Sequence, residues 1–131
     1  MSQLWQAATP SSKEPDNALL ERLASKAEPL MRQEALSISD EDREQIEPWL
    51  AQPAEKWLEL IQQLPQAQWL NLAIFFTAAE EHLGHWQCGA NNPAITIFKE
   101  LKKQGALPEK SVIKQIKSLT SNRYIPYGAA L

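Results

Sequence analysis

The chain has 131 residues, 44% of them hydrophobic, which is enough for one domain with a real core. Its formal charge is −3, which argues against non-specific nucleic-acid binding by the whole surface. The single cysteine, Cys88, excludes an internal disulfide, and four glycines leave little material for β-turns or a phosphate-cradling loop. The first residues lack a basic start and an apolar run, so they do not read as a secretory signal. No apolar stretch approaches the roughly 20 residues of a membrane span, and the expected location is the cytoplasm.

Residues 1–14 have no hydrophobic period and read as a flexible polar tail, with residues 15–131 as a single helical domain. Within the tail, Trp5 is read either as folding back on the domain or as part of a docking motif with Leu4. A first helix is expected over about 15–33, because Leu20, Leu23, Ala24, Ala27 and Met31 form one apolar stripe. Pro29 should kink or end it nearby. A second helix begins at Ser39, whose hydroxyl can cap, with Asp40, Glu41 and Asp42 at the positive end of the dipole. Ile46, Trp49 and Leu50 are its inward face, and Pro48 and Pro53 keep it short. The third helix, with Pro53 in its first turn, is expected to bury Trp57, Leu58, Ile61 and Leu64.

Pro65 opens the fourth helix. Between positions 69 and 79 only Asn71 and Thr77 are polar, and a helix apolar all round is surrounded by other helices. The segment 69–83 is therefore expected to be the central helix, with Gly84 as its left-handed cap. After a loop, Asn92 and Pro93 read as N-cap and first residue of a fifth helix that buries Ile97, Phe98 and Leu101 and stops at Gly105. Leu107 and Pro108 open a sixth, with Val112, Ile116 and Leu119 inward. Residues 120–131 read as an irregular C-terminal strap. The expected fold is all-α: a compact orthogonal bundle of five to six short helices around the helix at 69–83.

Three constellations could carry chemistry. His82, His85 and Cys88 are metal-capable at i, i+3, i+6, but Gly84 interrupts the helix between the histidines and no further Cys or His exists to complete a site. They are read as a solvated helix end, with no metal, no cofactor and no catalytic residue expected. No nucleophile, dinucleotide, P-loop or zinc-protease motif is present, so the chain is expected not to be an enzyme.

The second constellation is a basic end. Residues 99–131 hold seven basic side chains and two acidic ones, a local charge of +5 that leaves −8 on the remainder. Lys110, Lys114 and Lys117 share one face of the sixth helix. The third constellation is the closing segment. Arg123, Tyr124 and Tyr127 are rigid, amphipathic contact groups of the kind enriched at binding hot spots. Together Lys110, Lys114, Lys117, Arg123, Tyr124 and Tyr127 form the expected partner-binding surface. The expected function is a non-enzymatic interaction or regulatory module that docks on a protein with an acidic patch. The alternative is a nucleic-acid-binding regulator, because the segment 93–120 is similar to a helix-turn-helix in length and turn chemistry. A small metal protein or enzyme comes third. Residues 122–128, together with the helix end at 100–105, resemble the endings of small uncharacterised bacterial all-helical proteins. That resemblance covers the last quarter of the chain; it bears on the fold and implies no activity.

Overall fold

A computed structural model describes residues 15–83, 86, 92–122 and 125. These residues form helices without a strand. The α-helices are α1 (Asn17–Ala24), α2 (Ala27–Met31), α3 (Asp40–Ile46), α4 (Ala54–Ile61), α5 (Trp69–His82), α6 (Pro93–Lys103) and α7 (Lys110–Lys117). Two 3-10 segments, Glu47–Ala51 and Gln66–Gln68, lead out of α3 and into α5.

The continuous helix expected over 15–33 is two helices, α1 and α2, broken at Ser25 and Lys26. Pro29 explains where the break falls. Its ring would collide with the carbonyl four residues earlier, that of Ser25, so the chain resets there. The proline then lies in the first turn of α2, where a missing N–H costs no hydrogen bond. α2 ends with Gln33 at φ +64°, while the N–H groups of Gln33 and Glu34 donate to the carbonyls of Leu30 and Pro29. This is a left-handed helix cap occupied by a residue with a side chain. Gln33→Gly is therefore expected to raise stability by about 0.5–1 kcal/mol, measured as a higher urea midpoint. An unchanged or lower midpoint would show that the cap is not strained. α6 ends in the same motif with the residue that suits it. Gly105 has φ +68°, and the Ala106 N–H reaches the Leu101 carbonyl at 2.8 Å.

α5 is the central helix. Every residue from Leu72 to Glu80 is buried, so the apolar run faces neighbours on all sides. α6, α1, α2 and α7 all pack on it. Thr77 is tolerated there because its hydroxyl donates to the Ala73 carbonyl one turn back, at 2.8 Å. Trp49, Trp57, Phe76, Phe75 and Trp86 form a continuous chain of edge-to-face ring contacts, with centroids 5.1–6.2 Å apart. This chain ties the first 3-10 segment and α4 to the middle of α5. Three of the four buried indoles spend their N–H groups inside as follows: Trp57 on the Trp49 carbonyl, Trp69 on the Leu64 carbonyl and Trp86 on the Glu47 carboxylate.

Other boundaries differ from the sequence expectation by a residue or two. Pro53 is the extended residue before α4 rather than inside its first turn. α7 starts at Lys110, with Glu109 as its extended N-cap, two residues after Pro108. Gly84 lies outside the described residues, and so does the tail at 1–14. Among the described residues no helix is long and apolar enough to cross a membrane.

Candidate docking groove

A cavity of about 1190 Å³ forms an open groove between α6 on one side and the first 3-10 segment with the start of α4 on the other. Its floor is built from the aromatic chain. Trp57 and Trp86 line it although they are only 1% and 2% exposed, so both rings are held by the core. Half-buried Leu50 and Leu58 bring apolar surface to one wall, and Ile95 brings it to the other.

α4 supplies one wall because its apolar residues are more numerous than a single interface needs. Trp57, Leu60 and Ile61 are buried with Leu64 beyond them, while Leu58 is left half-exposed on the groove side. This corrects the expectation that Leu58 belongs to the core; Leu60 takes that place. α6 supplies the other wall through Ile95, Thr96, Lys99 and Lys103, which follow one another at helical spacing. From Ile95 to Lys103 this stripe runs about 12 Å along the helix axis.

The start of α6 is set by Asn92, which is 2% exposed. Its Oδ1 accepts from the Ala94 N–H at 2.7 Å, the N-cap bond anticipated from the sequence. Its Nδ2 donates to the Phe76 carbonyl and to Glu80 at 3.0 Å. Glu80, 3% exposed, also receives the amide of Asn122 at 2.7 Å and 3.1 Å. Asn92 lines the groove but turns all its polar atoms inward, so it positions α6 rather than offering a group to a ligand. Among the described residues no buried side-chain polar atom lacks a hydrogen-bond partner.

The rim is divided in charge. Lys99 and Lys103 are exposed on the α6 wall, and Glu47 and Glu55 stand on the opposite wall. Glu100, between the lysines in sequence, accepts from the Gln104 amide at 2.7 Å, and Gln104 in turn is held by Gln66. Glu47 accepts the Trp86 indole N–H at 2.7 Å and so also anchors the floor.

The three lysines expected to bind are placed elsewhere. Lys110, Lys114 and Lys117 are exposed on α7, which packs on α5 and contributes nothing to the groove. Arg123, Tyr124 and Tyr127 lie outside the described residues. The described residues just before them, Thr120 and Ser121, are anchored by the end of α5. Glu81 accepts from the Thr120 hydroxyl and from both the N–H and the hydroxyl of Ser121, at 2.9–3.1 Å. Ile125 is buried. His82 is the exposed last residue of α5; His85 and Cys88 lie outside the described residues. Among the described residues no three His, Cys, Asp or Glu side chains converge on a metal position.

Two carboxyls are held below their ordinary range. At Asp42 the main cause is the Arg22 guanidinium, which donates through Nε at 3.1 Å and Nη2 at 2.8 Å; the Ser39 hydroxyl adds to this. At Glu81 it is the backbone N–H of Ser121, followed by the hydroxyls of Ser121 and Thr120. The folded state binds these protons less readily than the unfolded chain. The stability both carboxylates contribute is therefore present above the ordinary carboxylate range, near pH 4, and is lost as pH falls through their lowered values. Urea midpoints followed from pH 6 to pH 2 should fall over that window. Asp42→Asn should start lower and fall less. An Asp42→Asn curve parallel to that of the parent chain would rule out the Arg22 pair as a source of the dependence.

The groove emerges only from the folded chain, since its walls are about 45 residues apart in sequence. The only sequence signal for it was the surplus apolar width of α4. Comparison with protein families, with characterised proteins and with solved structures finds no match to this chain.

Proposed function

We propose that the protein is a non-enzymatic interaction module that docks on another protein through the groove between α4 and α6. The supporting observation is that groove: about 1190 Å³, lined by Leu50, Leu58, Ile95 and two indoles, with the exposed Glu55, Lys99 and Lys103 beside them. A pocket for a small substrate is usually smaller and carries a few convergent polar groups at its base. Here the base is aromatic and aliphatic, and Asn92 is committed to the fold. The acidic residues of the rim disfavour a phosphate backbone in the same space, which favours a protein over a nucleic acid. The helix-turn-helix alternative gains little support, because α6 packs on α5 and α4 while the main helical neighbour of α7 is α5.

A photo-crosslinking amino acid placed at Leu58 tests this reading in the native cell, with the exposed Glu21 of α1 as the control position. Discrete protein adducts at position 58 and none at position 21 are expected. No adduct at 58, or the same adducts at both positions, would defeat the proposal. Lys110, Lys114 and Lys117 then serve as a second, steering surface. Their triple replacement by Glu should leave stability within about 0.5 kcal/mol, because exposed charges contribute little. It should slow association with the captured partner, because charges near an interface act on encounter. An unchanged association rate would reduce these lysines to a solvated face.

A further inference from the structure

We infer that the occupant of the groove is an amphipathic helix of the partner protein, about two turns of it in contact, with acidic residues along the edge of its apolar stripe that faces α6. This rests on the reading of the groove as a docking site and adds the secondary structure, the charge pattern and the orientation of what docks there.

The secondary structure follows from what the walls offer. The α6 wall is a helix whose backbone groups are spent on its own ladder, the facing wall is a 3-10 segment followed by the first turn of α4, and the described residues contain no strand edge. An extended peptide entering this groove would lose water from its N–H and C=O groups and find no strand edge to pair with them in register. A helix brings those groups already paired and presents only side chains. The contact length agrees, since the 12 Å stripe from Ile95 to Lys103 matches about two helical turns.

The charge pattern follows from the rim. Lys99 and Lys103 lie one turn apart on α6, and among the described residues neither has an ion-pair partner. Glu100, the nearest carboxylate in sequence, is engaged by Gln104. Carboxylates at i and i+4 of an incoming helix have the same spacing as this lysine pair. The opposite wall carries the exposed Glu55, while Glu47 beside it is engaged by Trp86 and Arg43, so the other edge of the apolar stripe should be basic where it meets Glu55. A helix with this pattern fits in one rotational setting, with its large apolar residues over Trp57, Trp86 and Leu58. The reversed setting would oppose like charges on both rims.

The test is selection from a displayed library of random peptides about 14 residues long against the full chain, followed by affinity measurement and circular dichroism of the winners. The expected winners have apolar residues at i, i+3 or i+4, and i+7, with Asp or Glu along one edge, and gain helical signal on binding. Leu58→Glu should weaken them about 100-fold. The double variant Lys99→Glu, Lys103→Glu should weaken them about tenfold, the size of two exposed ion pairs. Selection repeated on that variant should return Lys or Arg at the positions where Asp or Glu stood. Winners that are extended, proline-rich or indifferent to the lysine reversal, yet lost with Leu58→Glu, overturn this inference and leave the docking site standing. A library that yields no binder sensitive to Leu58→Glu overturns the docking reading itself. Thr96→Arg blocks the groove from the other wall and gives the same readout if Leu58→Glu does not fold.

Discussion

Phe75→Ala and Phe76→Ala are each expected to destabilise the fold by about 3–5 kcal/mol, the range for removing a fully buried aromatic ring. Phe75 and Phe76 are 0% and 2% exposed, so neither ring has solvent into which its site can relax. Each also has an aromatic neighbour on both sides. Phe76 meets Trp57 at 5.1 Å and Phe75 at 5.1 Å, and Phe75 meets Trp86 at 6.2 Å. Truncating either ring opens a cavity and cuts the chain that couples α4 to the centre of α5. The whole fold has a stability of only about 5–15 kcal/mol, so either variant removes a large share of it. Chemical denaturation read by tryptophan fluorescence measures the loss, since Trp57 or Trp86 sits beside the missing ring. A loss under 1 kcal/mol in both variants would place this part of α5 at the surface.

Asn92→Ala should cost about 2–4 kcal/mol, because one side chain performs two separable tasks. Its Oδ1 caps α6, worth about 1 kcal/mol. Its Nδ2 donates to the buried Phe76 carbonyl and Glu80 carboxylate, and leaving a buried acceptor short of a donor costs about 1–3 kcal/mol. Asn92→Ser separates the two. Serine keeps a capping oxygen but has no amide to reach Glu80, so it should recover the capping part and no more. Equal losses in the two variants would mean that the cap contributes nothing. Full recovery by serine would mean that the contact with Glu80 contributes nothing. Either result is read from urea midpoints at neutral pH. Because Asn92 also lines the groove, its alanine variant should loosen the α6 wall and weaken binding there together with stability.

The helical class, the central segment and most caps were legible from local rules. Ser39 accepts from the Asp42 N–H at 3.1 Å, Asn92 caps α6 and Gly105 closes it, each as its position beside a periodic segment implied. α5 declared itself because no face of a helix with two polar residues in eleven can be left in water. These are decisions in which residues within four or five positions of each other compete only with solvent.

Where two elements had to agree on a partner, the sequence was silent. α4 carries apolar residues at 57, 58, 60 and 61, with Leu64 just beyond it, and periodicity alone cannot say which faces the core. The contact of α4 with α6 decides it, burying Leu60 and leaving Leu58 to the groove. Pro29 announced a break but not its position, which the carbonyl of Ser25 sets through the backbone of the preceding turn. The pairing of Arg22 with Asp42 and the convergence of Asn92 and Asn122 on Glu80 join residues 12 to 42 positions apart. Any of several exposed partners would have satisfied the same side chains in an unfolded chain. Composition and periodicity determined that this protein is a helical bundle around residues 69–82. Only the packing of that bundle decided which surplus apolar and charged residues would meet across a groove, because side chains distant in sequence become neighbours only when the core between them has closed.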